Sequence, residues 1–97
     1  MNMQAMLKQA QNMQSKMLKT QEEVNSKVFY GESSYVKVEL IGGNVKSIKI
    51  NTDSLDKDDI EMLEDMLIVA IGNAKTAYDK EMEEKMGAYT KGIPGLF

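Results

Sequence analysis

Four lysines in the first 27 residues, Lys8, Lys16, Lys19 and Lys27, are spaced to share one side of a helix, and the only acids among them are Glu22 and Glu23. At 100° per residue the four fall opposite an apolar stripe of Met3, Met6, Ala10, Met13, Met17 and Val24, which itself spans about 80°. An ammonium group is a compact, always-charged donor at neutral pH, so the chemistry on offer is point-charge binding of an anion. A solvated helix face has the same pattern, and that reading stands beside the first. The stripe asks for a partner helix or a core.

The composition removes most other chemistries. The chain has 97 residues, no Cys, no His and no Trp, and all twelve of its basic residues are lysine. There is no thiolate nucleophile, no disulfide framework, no imidazole for a metal site and no material for a Ser/His relay. Asp58, Asp59, Glu61, Glu64 and Asp65 suggest a divalent-cation site, but consecutive acids on a helix start point in different directions and are explained by capping and the helix dipole. No metal, no cofactor and no enzymatic activity are expected. The longest apolar run, Met66 to Ile71, is too short for a bilayer, and the N-terminus alternates Met with Gln and Asn where a signal peptide is continuous, so a cytoplasmic location is expected.

The net charge of -3 is unevenly distributed. Residues 1 to 20 hold three lysines and no acid, whereas residues 56 to 85 hold ten acids against Lys57, Lys75, Lys80 and Lys85, a local sum of -6. The molecule is electrically two-ended, with a basic first helix and an acidic second one.

The elements that position these charges follow from periodicity. Residues 1 to 27 read as a helix. In Tyr35-Val36-Lys37-Val38-Glu39-Leu40-Ile41 the period drops to 2, with Val36, Val38 and Leu40 on one face, and Val45 to Ile50 alternates again after Gly42-Gly43-Asn44. Val28-Phe29-Tyr30 before Gly31 adds a short strand, giving a three-stranded meander over residues 28 to 50. Asp53, Ser54 and Asp56 offer caps for a second helix over residues 56 to 86, with Ile60, Leu63, Leu67, Ala70, Ile71, Ala74, Ala77 and Tyr78 as its apolar stripe. Glu61, Asp65, Asp79 and Glu83 form an acidic ridge opposite, most simply a solvated face. Gly72 is the expected point of close approach by a neighbouring element, and Gly87, Gly92, Pro94 and Gly95 end regular structure in a tail over residues 87 to 97. The whole is one α+β domain over residues 1 to 97, an α-β-β-β-α subunit with two long helices flanking a small antiparallel sheet.

Dimensions bear on the oligomeric state. Helices of about 25 and 30 residues are roughly 37 and 45 Å long, whereas three strands give a sheet only about 15 Å across. The helices must overhang it, and their stripes would expose a larger apolar patch than soluble monomers usually carry. A homodimer is expected, with Met3, Met6, Met13, Met17, Leu67 and Ile71 as interface candidates, pairing through helices, strand edges or both.

The run Met6-Leu7-Lys8-Gln9-Ala10-Gln11-Asn12-Met13-Gln14, the strand through Tyr35-Val36-Lys37-Val38, the Gly42-Gly43-Asn44 turn, Met62-Leu63-Glu64-Asp65-Met66, the Asn73-Ala74 pair and the Gly92-Ile93-Pro94-Gly95 tail together resemble the YbaB/EbfC family of bacterial nucleoid-associated proteins, nearly end to end. The resemblance implies a dimer with projecting helices likened to tweezers, binding double-stranded DNA in the nucleoid without an enzymatic activity. On that implication Lys8, Lys16, Lys19 and Lys27 become candidate phosphate contacts, presented twice by a dimer. Without Arg the bidentate contact to guanine is missing, and of the nearby amides only Gln9 and Asn12 lie close to the lysine face, so weak sequence preference is expected. The alternative is a non-enzymatic adaptor that binds proteins of DNA metabolism through its acidic second helix or its Met-rich faces.

Overall fold

The computed structural model describes residues 2–90, so the tail residues Gly92, Pro94 and Gly95 lie outside it. Helix α1 spans Met3–Ser26, strands β1, β2 and β3 span Val28–Ser33, Val36–Ile41 and Asn44–Ile50, and a 3-10 turn over Lys57–Asp59 leads into helix α2, Ile60–Thr90. The strands form an antiparallel meander in the order β1-β2-β3. The fold is therefore the expected α-β-β-β-α subunit.

Each boundary has a local cause. Asn2 caps α1, its Oδ1 accepting the Ala5 N–H at 2.8 Å, which satisfies one of the free donors of the first turn. Between β2 and β3, Gly42 and Gly43 take φ values of 59° and 81°, the double positive φ that a two-residue hairpin turn matched to strand twist demands. Ahead of α2, Asp59 Oδ2 accepts the Asp56 N–H at 2.9 Å, so the acids there close the helix start and favour its dipole.

The core is one helix deep on one side of the sheet. Val36, Val38 and Leu40 of β2, Phe29 of β1, Val24 of α1 and Ala70 and Ala74 of α2 are buried, and Leu63, Met66, Leu67, Ile71, Ala77, Tyr78 and Met82 pack around them. Ile60, placed on the apolar stripe by its spacing, is instead exposed. Phe29 meets the Tyr78 ring edge-on with centroids 5.6 Å apart, and the Tyr78 hydroxyl donates to Asn25 Oδ1 at 2.6 Å.

The close approach expected at Gly72 occurs at Gly31. A Cβ on Gly31 would lie 1.9 Å from the Ala70 carbonyl oxygen and 2.5 Å from the Ala74 nitrogen, whereas one on Gly72 would meet nothing within 4 Å. Strand β1 thus rests directly on the backbone of α2, and Asn73 Nδ2 ties the two by donating to the Glu32 carbonyl at 3.2 Å. Gly72 only weakens its helix. A Gly72→Ala variant should raise unfolding stability by about 1 kcal/mol, read as a higher midpoint in urea; a lower midpoint would place an unseen constraint at that site.

Helix α2 also passes through Gly87, where the sequence suggested a stop, and continues to Thr90. A lone glycine costs a helix about 1 kcal/mol and ends it only when the backbone turns left-handed. Here it does not.

The molecule measures 70 × 23 × 13 Å. The C-terminal halves of α1 and α2 run antiparallel, since Lys27 meets Glu81 and the Thr20 hydroxyl lies 2.8 Å from the Tyr89 hydroxyl. Ahead of Met17, every described residue of α1 is exposed. Residues 3 to 19 form an arm of about 25 Å beyond the Thr20–Tyr89 contact.

Candidate nucleic-acid interface

Three of the four lysines lie on this arm. Lys8, Lys16 and Lys19 are exposed, and none forms a salt bridge among the described residues. No acid precedes Glu22 in the chain, so the arm around Lys8 and Lys16 carries a positive field of the kind that attracts a polyanion, while Lys19 has Glu22 and Glu23 one turn away. Gln4, Gln9, Gln11, Asn12 and Gln14 are exposed on the same stretch.

Lys27 is set apart. Its Nζ lies 2.7 Å from Glu81 Oε1 and 5.8 Å from the centroid of the Phe29 ring. The pair is half-exposed, so its energetic value is modest, but Glu81 cancels the charge locally. Lys27 sits at the root of the arm and orients it more directly than it reaches outward.

Two further lysines escaped the sequence reading. Lys46 and Lys49 are exposed on β3, in a stretch between Glu39 and Asp53 that has no acid. That gap is the available signal, and it is hard to notice because β-alternation draws attention to Ile48 and Ile50. Lys37 of β2 lies opposite Lys49, but it is drawn toward Glu32 at 3.9 Å and covers the Tyr30 ring at 4.9 Å.

The interface candidates divide in two. Met3, Met6 and Met13 are exposed, with Met3 at 78%, whereas Leu67 and Ile71 are half-buried against the core of their own subunit. Met17 is half-buried. Met3, Met6, Leu7 and Ala10 line one shallow apolar groove on the arm. No group of three or more potential metal ligands occurs among the described residues, and no described helix is long and apolar enough to cross a membrane.

A small sheet carrying two overhanging helices, one of them an exposed lysine arm, defines a class of α-β-β-β-α protein with its charge displayed on a projecting helix. The sequence profile of the YbaB/EbfC DNA-binding family matches residues 1–93, and the chain belongs to that family. It is 40% identical to a nucleoid-associated protein of Ligilactobacillus salivarius over 99% of this chain and 95% of the relative. It is 42% identical to one of Enterococcus faecalis over 98% and 94%, and 38% identical to one of Chloroflexus aurantiacus over the full length of both.

Proposed function

We propose that the protein binds double-stranded DNA as a homodimer in the bacterial nucleoid, gripping the duplex between projecting helices in a tweezers-like arrangement, with weak sequence preference. The observation that carries the proposal is the arm: Lys8, Lys16 and Lys19 are exposed and form no ion pair among the described residues, and Lys8 and Lys16 have no acid within a helical turn along α1. Lysine contacts to phosphate position a protein on DNA without reading its sequence. Binding of this kind falls in the range of about 10⁻⁴ to 10⁻⁶ M at physiological salt, and it suits nucleoid organisation and modest effects on gene expression better than site-specific control. Lys27, paired with Glu81, contributes less. The role is binding rather than catalysis, in the cytoplasm where the nucleoid lies.

The test is a fluorescence-anisotropy titration of a labelled duplex at low salt, comparing the natural chain with a Lys8→Glu/Lys16→Glu/Lys19→Glu variant. All three side chains are exposed, so the variant should keep its far-ultraviolet circular dichroism and lose at least about 100-fold in affinity. Unchanged affinity would refute the lysine assignment, and no binding by the natural chain would refute the DNA reading. A second reading is favoured by Ile68, 70% exposed on the acidic helix: an adaptor that binds a protein partner of DNA metabolism through α2. It gains ground if the duplex is not bound.

A further inference from the structure

The sheet has a second face, turned away from its core. Alternation sets Phe29, Gly31, Val36, Val38 and Leu40, all buried, on the core side, and therefore sets Tyr30, Glu32, Lys37 and Glu39 on the opposite one. Side chains directly opposite share a face, and pairing extends this one onto β3. Tyr30, Glu39 and Ser47 form one row across the strands, and Glu32, Lys37 and Lys49 form the next. Two features of these rows go beyond what a solvated face requires. Tyr30 is a large ring that is 53% exposed, with the Lys37 ammonium 4.9 Å from its centroid. Lys37 and Lys49 stand directly opposite each other, and like charges so placed destabilise a sheet. Glu32 draws Lys37 at 3.9 Å, but no ion pair among the described residues neutralises Lys49. The repulsion is left for an outside anion to relieve.

We infer that this face is a platform for single-stranded DNA, with an unpaired base stacked on Tyr30 and a phosphate of the same strand between Lys37 and Lys49. An exposed aromatic ring beside cations is the pairing of parts that sequence-tolerant single-strand binding uses. A duplex offers the ring nothing, because its bases are stacked inside the helix; a single strand offers base and phosphate together. The spacing suits it. Tyr30 on β1 and Lys49 on β3 are two strand spacings apart, about 10 Å, and offset by two residues, about 7 Å, along the strands, so a strand crossing the sheet diagonally meets both. Charge is sorted in the same sense. Residues 40 to 52 hold Lys46 and Lys49 and no acid, whereas Glu32 and Glu39 flank Tyr30, one two residues along β1 and the other opposite it on β2. The phosphate therefore meets the cations, and the carboxylates lie where a stacked base presents its N–H donors. The platform goes beyond the duplex reading and does not rest on the arm.

The experiment is an anisotropy titration of labelled oligothymidylate, which forms no duplex with itself, at low salt. The full chain carries Lys8→Gln/Lys16→Gln/Lys19→Gln, so that the arm contributes neither attraction nor repulsion. In this background Tyr30→Ala should lower the affinity at least about tenfold, while Tyr30→Phe, which keeps a stacking face, should lower it less than about threefold. Lys49→Gln should make the slope of log affinity against log salt shallower by about 0.7, one single-strand phosphate. The chain has no tryptophan, so Tyr30→Trp places a sole indole on the platform, and oligothymidylate should quench its fluorescence. Tyr30 and Lys49 are exposed, so the variants should keep their circular dichroism; if Tyr30→Ala does not, the quenching and the Lys49→Gln slope decide. An oligomer that is not bound, is bound equally by Tyr30→Ala, or leaves the indole unquenched would overturn the inference. Oligouridylate binding about tenfold tighter would assign the face to RNA, and a dimer weakened by Tyr30→Ala in sedimentation equilibrium would assign it to a second copy; either result overturns the single-stranded DNA assignment. If the natural chain binds oligothymidylate but not duplex, the platform stands and the duplex reading falls; the reverse result does the opposite.

Discussion

Gly31→Ala should lower the stability of the fold by about 3 kcal/mol, the upper end of the overpacking range, and its thermal midpoint by about 12–24 °C for a domain of this size. One methyl group has this effect because of what it strikes. Its carbon would sit 1.9 Å from the Ala70 carbonyl oxygen, 2.5 Å from the Ala74 nitrogen and 3.0 Å from the Ala74 Cβ. Two of the three are helix backbone, held in the ladder of i to i-4 bonds and unable to rotate aside as a side chain would. The strand must lift from α2, which loosens the contact of Phe29 with Tyr78 and stretches the Asn73 bond to Glu32. Melting followed by circular dichroism measures the effect, and Gly72→Ala in the same chain is the control, the same substitution with the opposite expected sign. A Gly31→Ala midpoint within a degree or two of the natural one would contradict the direct contact of strand and helix.

The affinity for duplex should fall about a thousandfold between 50 and 200 mM monovalent salt. A dimer offers Lys8, Lys16 and Lys19 twice, six phosphate contacts, and each contact releases a condensed counterion with a slope near -0.9 per phosphate in log affinity against log salt. The expected slope is about -5. These lysines are unpaired among the described residues, so no internal ion pair need break first, and the slope should approach the full count. Adding Lys27→Gln should change it little, because Glu81 already holds that ammonium. A slope near zero, or one that the triple lysine variant leaves unchanged, would remove the arm from the interface.

How much of this was legible in the sequence depends on the range of the interaction. The Gly42-Gly43 turn was readable because a hairpin of that length requires positive φ at both positions, a rule that acts over two residues. The lengths of the helices, and hence their overhang of the sheet, followed from periodicity. Gly31 and Gly72 could not be told apart in that way: a glycine that admits a helix backbone and one that meets solvent look alike until the packing partner is known. The Asn73-Ala74 pair makes sense only with β1 in place, the amide reaching the strand and the small side chain making room for it. Lys27 looked like its three companions because Glu81, its partner, is 54 residues away. The alternation of β3 likewise implied a buried face. Whether a layer actually lies over that face is decided by how far α2 extends across the sheet, and α2 stops short of it.

The root of the arm is fastened within a few residues, by buried Val24, by Asn25 to Tyr78, by Lys27 to Glu81 and by Thr20 to Tyr89. Toward the N-terminus from Thr20, no hydrogen bond or ion pair among the described residues ties the arm to another element, and only Met17 on it is half-buried. An α-helix is stiff over this distance, so the arm behaves as a lever: a turn of about 10° at the root carries the tip, about 25 Å away, through about 4 Å. On the DNA role proposed above, the same turn would carry Lys8, about 18 Å from the root, through about 3 Å and Lys16 through about 1 Å, a travel of Lys8 that is about half the minor-groove width of about 6 Å. If the arm contacts DNA as proposed, the same stiffness that keeps the lysines in line would let one fold accommodate duplexes of different shape without refolding.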